Sequence, residues 1–211
     1  MQAIRGYQYV RRDITPVTAA RRSELAAGYA ENQRLGNAPY AGVPIRTLGE
    51  LDWIMAERGW SGRPKSRGRE RADLRDADLR GAQLQEVALF AADLRHADCT
   101  GICLQRAVLR WANCQETNLR GGDLCAAHLF GAHLHGADFR GTQLMGADLQ
   151  GTDLSAAHFA DADLHGASLR WADMDADALH RLNVQEADVF GVNTYRQAHR
   201  ESVHAIAGGK A

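Results

Sequence analysis

From Ala72 onward apolar residues return at every fifth position. Leu stands at 74, 79, 84, 89 and 94, and with Cys99, Cys114, Phe139, Phe159 and Met174 as substitutes the register runs without insertion to Met174. Two residues before each of these positions sits a small residue, mostly Ala, sometimes Thr or Gly, with Val87 and Ile102 the largest. A helix repeats every 3.6 residues and a strand every 2, so neither buries a five-residue stripe. The chain must therefore turn once per repeat, and stacking successive turns at strand spacing lets each coil satisfy the backbone groups of the next. Between Asp175 and Glu186 the pattern lapses; Ala187-Asp188-Val189 resumes it a whole number of repeats later, and the repeats are counted through Thr194.

The flanks follow other periods. Thr15-Pro16 predicts the start of a helix running to about Ala30. Thr47-Leu-Gly-Glu50 reads as a capping box opening a second helix, with Leu48, Leu51, Ile54 and Met55 as its apolar stripe and Gly59 as its stop. Residues 1–60 thus form a helical extension, too thin to build a core alone and expected to dock on the repeats. Residues 61–71, with five basic residues, Gly and Pro, read as an extended linker. Residues 195–211 place Tyr195, His199, Val203 and Ile206 at helical spacing, which predicts a C-terminal capping or dimerisation helix and tail.

The pattern of small residue, Asp or Asn, Leu and two variable residues resembles the pentapeptide-repeat family. The resemblance implies an all-β solenoid, a right-handed quadrilateral β-helix of four repeats per coil, here about six coils over residues 72–194. It also implies that the central Leu and the preceding small residue point inward. Some members of that family mimic B-form DNA and protect type II topoisomerases such as gyrase.

Composition narrows the function more than it identifies it. No apolar run approaches the roughly 20 residues a membrane span needs, and the start lacks the order of a secretory signal, so a cytoplasmic protein is expected. Four Cys are too few for a disulfide scaffold and their spacing fits no zinc knuckle. The overall charge of −1 conceals a division: residues 1–71 carry 13 Lys and Arg against 7 Asp and Glu, whereas residues 72–194 carry 9 against 18.

Counting in steps of 20 sorts the outward positions into four faces. Of six aromatic residues between Ala72 and Met174, Phe139 and Phe159 take core positions, and the other four, Phe90, Trp111, Phe130 and Trp171, fall on one face beside Arg110 and Arg170. Aromatic residues next to Arg are the usual composition of a protein contact. These six are the candidate binding residues, and Phe190 joins them if the register holds. The stripe is either covered within the molecule, by residues 1–60 or the C-terminal helix, or presented to a partner.

Other columns alternate Asp with Arg, as in Asp73-Leu-Arg75 and Asp78-Leu-Arg80, and read as solvated ladders. His133, His135 and Asp153 are close enough in register for a metal cluster to be conceivable, but solvated ladder positions are the simpler reading. No metal, cofactor or catalytic group is expected. The sequence therefore predicts a non-enzymatic protein-binding or scaffold solenoid, with another protein of unknown identity or a second copy as partner, and with neither membrane nor nucleic acid bound by the repeats. The alternative is a DNA-mimicking modulator of gyrase. The net −9 of the repeats favours it, while interleaved Arg, the basic extension and the lack of a long interrupting loop oppose it.

Overall fold

The computed structural model describes residues 16–60, 71–182 and 186–194. Four ladders of parallel bridges step by 20 residues. One joins Asp73, Asp93, Asn113, His133, Asp153, Asp173 and Asn193; the others start at Asp78, Gln83 and Ala88. Four pentapeptides thus close each coil into a four-sided β-helix. At each corner the N–H of the small residue closes a turn onto the Leu carbonyl three residues earlier, as from Ala97 to Leu94 at 3.0 Å. The third turn position takes a left-handed φ near +60°, as a type II turn requires, which is why Gly recurs there.

The interior is a single column of large and small side chains. Leu74, Leu84, Leu124, Leu134, Leu144, Leu149 and Leu164 are fully buried, as are Ala77, Ala97, Ala107 and Ala137. Phe139 and Phe159, one coil apart, stack with ring centroids 5.0 Å apart and planes at 5°. Thr117 and Thr142 occupy small-residue positions and donate their hydroxyls to the carbonyls of Leu94 and Leu119, each at 2.8 Å, so no hydroxyl there is left unpaired. Cys99 and Cys114 fill Leu positions. Burial pushes both thiols up, Cys114 to about 12, so they act as small apolar groups.

The helical extension begins later and ends later than Thr15-Pro16 suggested. Helix α1 spans Ala19–Leu35; Thr18 caps it by accepting from the Arg21 N–H, and Gly36 ends it at φ +73°. Helix α2, Leu48–Arg58, has the expected capping box between Thr47 and Glu50 and ends at Gly59. Glu50 also accepts from the backbone N–H of Arg46 at 2.6 Å and from Arg21 Nε at 2.7 Å, which ties α1 to α2. Burial pushes its carboxyl up, but these donors outweigh that and hold it below the usual range.

Residues 41–47 pair directly with the first coil, through bridges from Ala41 to Ala77, Pro44 to Asp78 and Thr47 to Gln83. Ile45, fully buried, donates its N–H to the Asp78 carbonyl, and Gln83 donates to the Arg46 carbonyl, both at 2.9 Å. The extension is therefore a cap on the open strand edge of the solenoid. The register survives the lapse after Met174: helix α3, Ala176–Arg181, stands in for regular repeats, and Ser168 and Asp173 pair with Asp188 and Asn193, 20 residues on. Residues 61–70 of the basic linker and the whole of the expected C-terminal helix lie outside the described residues.

Candidate interaction surface

The ladder through Ala88, Val108, His128, Asp148, Ser168 and Asp188 precedes one corner of the rod. Along it, Phe90, Arg110, Phe130, Gln150, Arg170 and Phe190 form one column, and Ala91, Trp111, Gly131, Gly151, Trp171 and Gly191 the next. All six candidate residues therefore share this corner. The structure adds what spacing alone does not reveal: they form two copies of one module, three coils apart. In the first, Trp111 meets Phe130 edge to face, with centroids 5.3 Å apart and planes at 80°, and the Arg110 guanidinium lies 5.0 Å from the Phe130 centroid. In the second, Trp171 meets Phe190 at 5.2 Å and 87°, with Arg170 at 5.4 Å. Such pairs are worth roughly 0.5–1.5 kcal/mol beyond burial.

Glycine makes the module fit. A Cβ at Gly131 would stand 2.6 Å from the Trp111 ring, and one at Gly191 2.5 Å from the Trp171 ring, so each indole lies across the bare backbone of the next coil. Trp111 and Trp171 also adopt φ +60°, a conformation bulky side chains seldom take. The two residues are nevertheless 49% and 58% exposed, and Phe190 is 61% exposed. Phe90 and Phe130 are half-buried.

Residues 16–60 do not lie along this corner. Their apolar groups, Leu25, Tyr40, Ile45, Leu51 and Ile54, are spent against one another and the first coil, leaving the stripe uncovered by described residues. Only the end of the cap approaches it: a cleft of about 610 Å³ is lined by Tyr29, Arg58 and Trp60 on one side and by Asp73, Asp93 and Trp111 on the other.

The acidic columns do more than keep the rod solvated. The Asp or Asn before the central residue accepts the backbone N–H two residues on, as Asp78 does from Arg80 at 3.2 Å, Asp123 from Cys125 at 3.1 Å and Asp163 from His165 at 3.0 Å. It fixes the approach to each corner, a local role for which Asp and Asn are suited. Where Arg stands at that second position the carboxylate also takes a bidentate guanidinium, in Asp73–Arg75, Asp78–Arg80, Asp93–Arg95 and Asp138–Arg140. Asp78 bonds Arg80 and, at 2.7 Å, Arg46 of the cap, and these donors hold its carboxyl well below the usual carboxylate range.

A folded-state pKa depressed in this way stabilises the protein above the unfolded value of about 3.9, and the contribution is lost as pH falls through the native value. Thermal stability should accordingly drop on acidification below about pH 4. Asp78→Asn should flatten part of that slope; a melting temperature equally pH-dependent in the variant would contradict the assignment.

His135 Nδ1 lies 2.8 Å from the Ser155 hydroxyl, which in turn donates to Asp153, while His133 lies one coil before Asp153 in the same ladder. No group of three or more potential ligands converges on a metal-sized site among the described residues. Burial and the neighbouring Asp123 push the Cys125 thiol up to about 11, the opposite of an activated nucleophile. No helix among the described residues is long and apolar enough to cross a membrane.

Residues 72–110, 107–144 and 142–176 match the family model for pentapeptide repeats, in eight copies. The chain belongs to the pentapeptide-repeat family. Membership implies the right-handed sense of the four-sided coil. No curated protein matches the sequence significantly. Among solved structures, QnrB1, described as a plasmid-mediated fluoroquinolone resistance protein, is 20% identical with a TM-score of 0.37, over 65% of this chain and 62% of its own. Rfr23 from the cyanobacterium Cyanothece 51142 is 19% identical with a TM-score of 0.24, over 77% and 98%. HetL, described as involved in heterocyst differentiation regulation in Nostoc sp. strain PCC 7120, is 29% identical with a TM-score of 0.23, over 59% and 62%. The pentapeptide-repeat chain thus spans about three fifths of the length of QnrB1.

Proposed function

We propose that this pentapeptide-repeat protein is a non-enzymatic binding scaffold, a rod of about six coils whose Trp corner is its protein-contact surface. The observation that carries the reading is the exposure of two Trp residues, each lying across a glycine and meeting a Phe edge to face, with an Arg on that Phe. A soluble monomer seldom spends so much ordered apolar area on water, and aromatic and Arg side chains dominate contact energetics. Rigid platforms also lose little entropy when a partner docks.

The test is affinity capture with the intact protein and with a Trp111→Ala, Trp171→Ala double variant. Neither ring is in the core, so the variant should melt close to the parent yet lose most captured protein; identical captured sets would overturn the reading. DNA mimicry toward gyrase is a weaker second reading. The net −9 of the repeats favours it, but four of the carboxylates are clamped by their own Arg, which breaks up any continuous acidic strip.

A further inference from the structure

The two modules make the Trp corner self-complementary when reversed, and we propose that its partner is a second copy of this chain, docked antiparallel about a two-fold axis through Gly151. This deepens the scaffold reading and rests on it. Ordering the coils along the corner gives Trp111, Gly131, Gly151, Trp171 and Gly191. Because each indole leans over the following glycine, the two ring positions are equidistant from Gly151. A two-fold axis across the rod there sets the exposed ring of Trp111 opposite Trp171 of the other copy, and Trp171 opposite its Trp111. In an isologous contact of this kind every pairing occurs twice.

The adjoining columns pass the same reversal. Arg110 falls opposite Phe190, and Phe130 opposite Arg170. On the flat face carrying the Asp73 to Asn193 ladder, His133 falls opposite Asp173, Asn113 opposite Asn193 and His135 opposite Asp175, while Ser155 meets itself. Imidazoles thus oppose carboxylates and amides oppose amides across the face, a complementarity that also selects the reversed over the parallel arrangement. Two pairings oppose the contact: Asp153 meets its own copy near the axis, and so does Asp148 in the ladder on the other side of the corner. Each cap pairs with the first coil, and its end, at Tyr29, Arg58 and Trp60, borders the Trp111 end of the contact across the cleft.

Gly151 supplies the decisive variant. A side chain there meets nothing within 4 Å, and Ala91, Trp111 and Trp171 carry side chains at the same φ in the same column. Gly151→Glu should therefore fold, while placing bulk and charge on the axis. Sedimentation velocity of the full chain should show a monomer–dimer equilibrium, with Gly151→Glu raising the dissociation constant at least tenfold and Asp153→Asn lowering it severalfold. Under mild oxidation Ser155→Cys should form a covalent dimer, whereas Thr100→Cys, on the opposite corner, should do so no more than the parent.

A parent that stays monomeric into the hundred-micromolar range, a Gly151→Glu dimer as tight as the parent's, or equal crosslinking through Thr100→Cys overturns the proposal. A monomeric parent whose captured proteins still depend on Trp111 and Trp171 overturns the dimer and leaves the scaffold reading standing. A dimer indifferent to both Trp residues, with captured sets equally indifferent, overturns both.

Discussion

Leu134→Asp should abolish the cooperative thermal transition of the rod at temperatures where the parent is fully folded. Leu134 is fully buried midway along the solenoid, with Leu129 and Phe139 in the neighbouring repeats of its coil. Its own backbone is locked on both sides, the N–H donating to the Asp153 carbonyl at 2.9 Å and the carbonyl accepting from Ala137. The side chain therefore has no route to solvent. Replacing it removes a Leu from a packed column, at about 2–5 kcal/mol, and leaves a carboxyl without a polar partner, at several more. Solenoid stability is close to a sum of coil and interface contributions, so a failure in the middle divides the rod into two short stacks with fresh edges. Circular dichroism melting checks this: the parent should melt in one transition and the variant well below it or in none. A variant melting within a degree or two of the parent would contradict the inward placement of the central position. Asp138→Asn, outward in the next repeat, is the matched control and should cost little, since Asn keeps the acceptor for the Arg140 N–H.

What the sequence made legible follows from how local the responsible physics is. The five-residue period needs only the spacing of Leu and its small predecessor, and a substitution such as Cys99 or Phe139 leaves the spacing intact. The capping box at Thr47 and Glu50 was legible for the same reason, because both partners lie within one turn. Thr18 gives little signal as a cap because Thr15-Pro16 is the stronger local start and Thr18 is followed by Ala, with no acidic residue to complete a box. The docking of residues 41–47 onto the first coil leaves almost no periodic trace: it consists of backbone pairings, one isolated buried side chain, Ile45, and one long-range guanidinium from Arg46 to Asp78. The position of the cap therefore cannot be read from periodicity, which leaves residues 1–60, the C-terminal helix and a partner as alternative covers of the stripe.

The site was half legible. Register arithmetic placed Phe90, Arg110, Trp111, Phe130, Arg170 and Trp171 on one corner, but a linear count does not say that Trp111 leans on Phe130 of the following coil. The signal was present in the text of the sequence: Leu-Arg-Trp-Ala occurs at 109 and 169, and Phe-Gly follows 20 residues after each Arg-Trp. Reading it required treating Gly as a position kept empty for a neighbour's ring. The Asp residues depart from their sequence reading in the other direction. Asp reads as surface charge because it usually is, whereas ten of the ladder Asp residues, from Asp73 to Asp188, accept a backbone N–H that the turn would otherwise leave unpaired.

Ile45→Asp should release the cap without unfolding the rod. Ile45 is fully buried where residues 41–47 meet the first coil, and its N–H reaches the Asp78 carbonyl. A carboxylate there would be buried within the same contact as Asp78, which is satisfied by Arg46 and Arg80. Loss of the Ile side chain and burial of a second charge together cost several kcal/mol, a large fraction of what a segment this small can gain by docking. Once the cap lifts, the N–H of Gln83 and the carbonyls of Asp76 and Asp78 lose their partners, and the first coil becomes a bare strand edge. Two measurements should then move together. Limited proteolysis should cut within residues 16–60 at protease levels that leave the parent intact, and the remaining rod should associate end to end as concentration rises, independently of Trp111 and Trp171. If Ile45→Asp left residues 16–60 as protected as in the parent, the pairing of residues 41–47 with the first coil would contribute nothing to the retention of the cap.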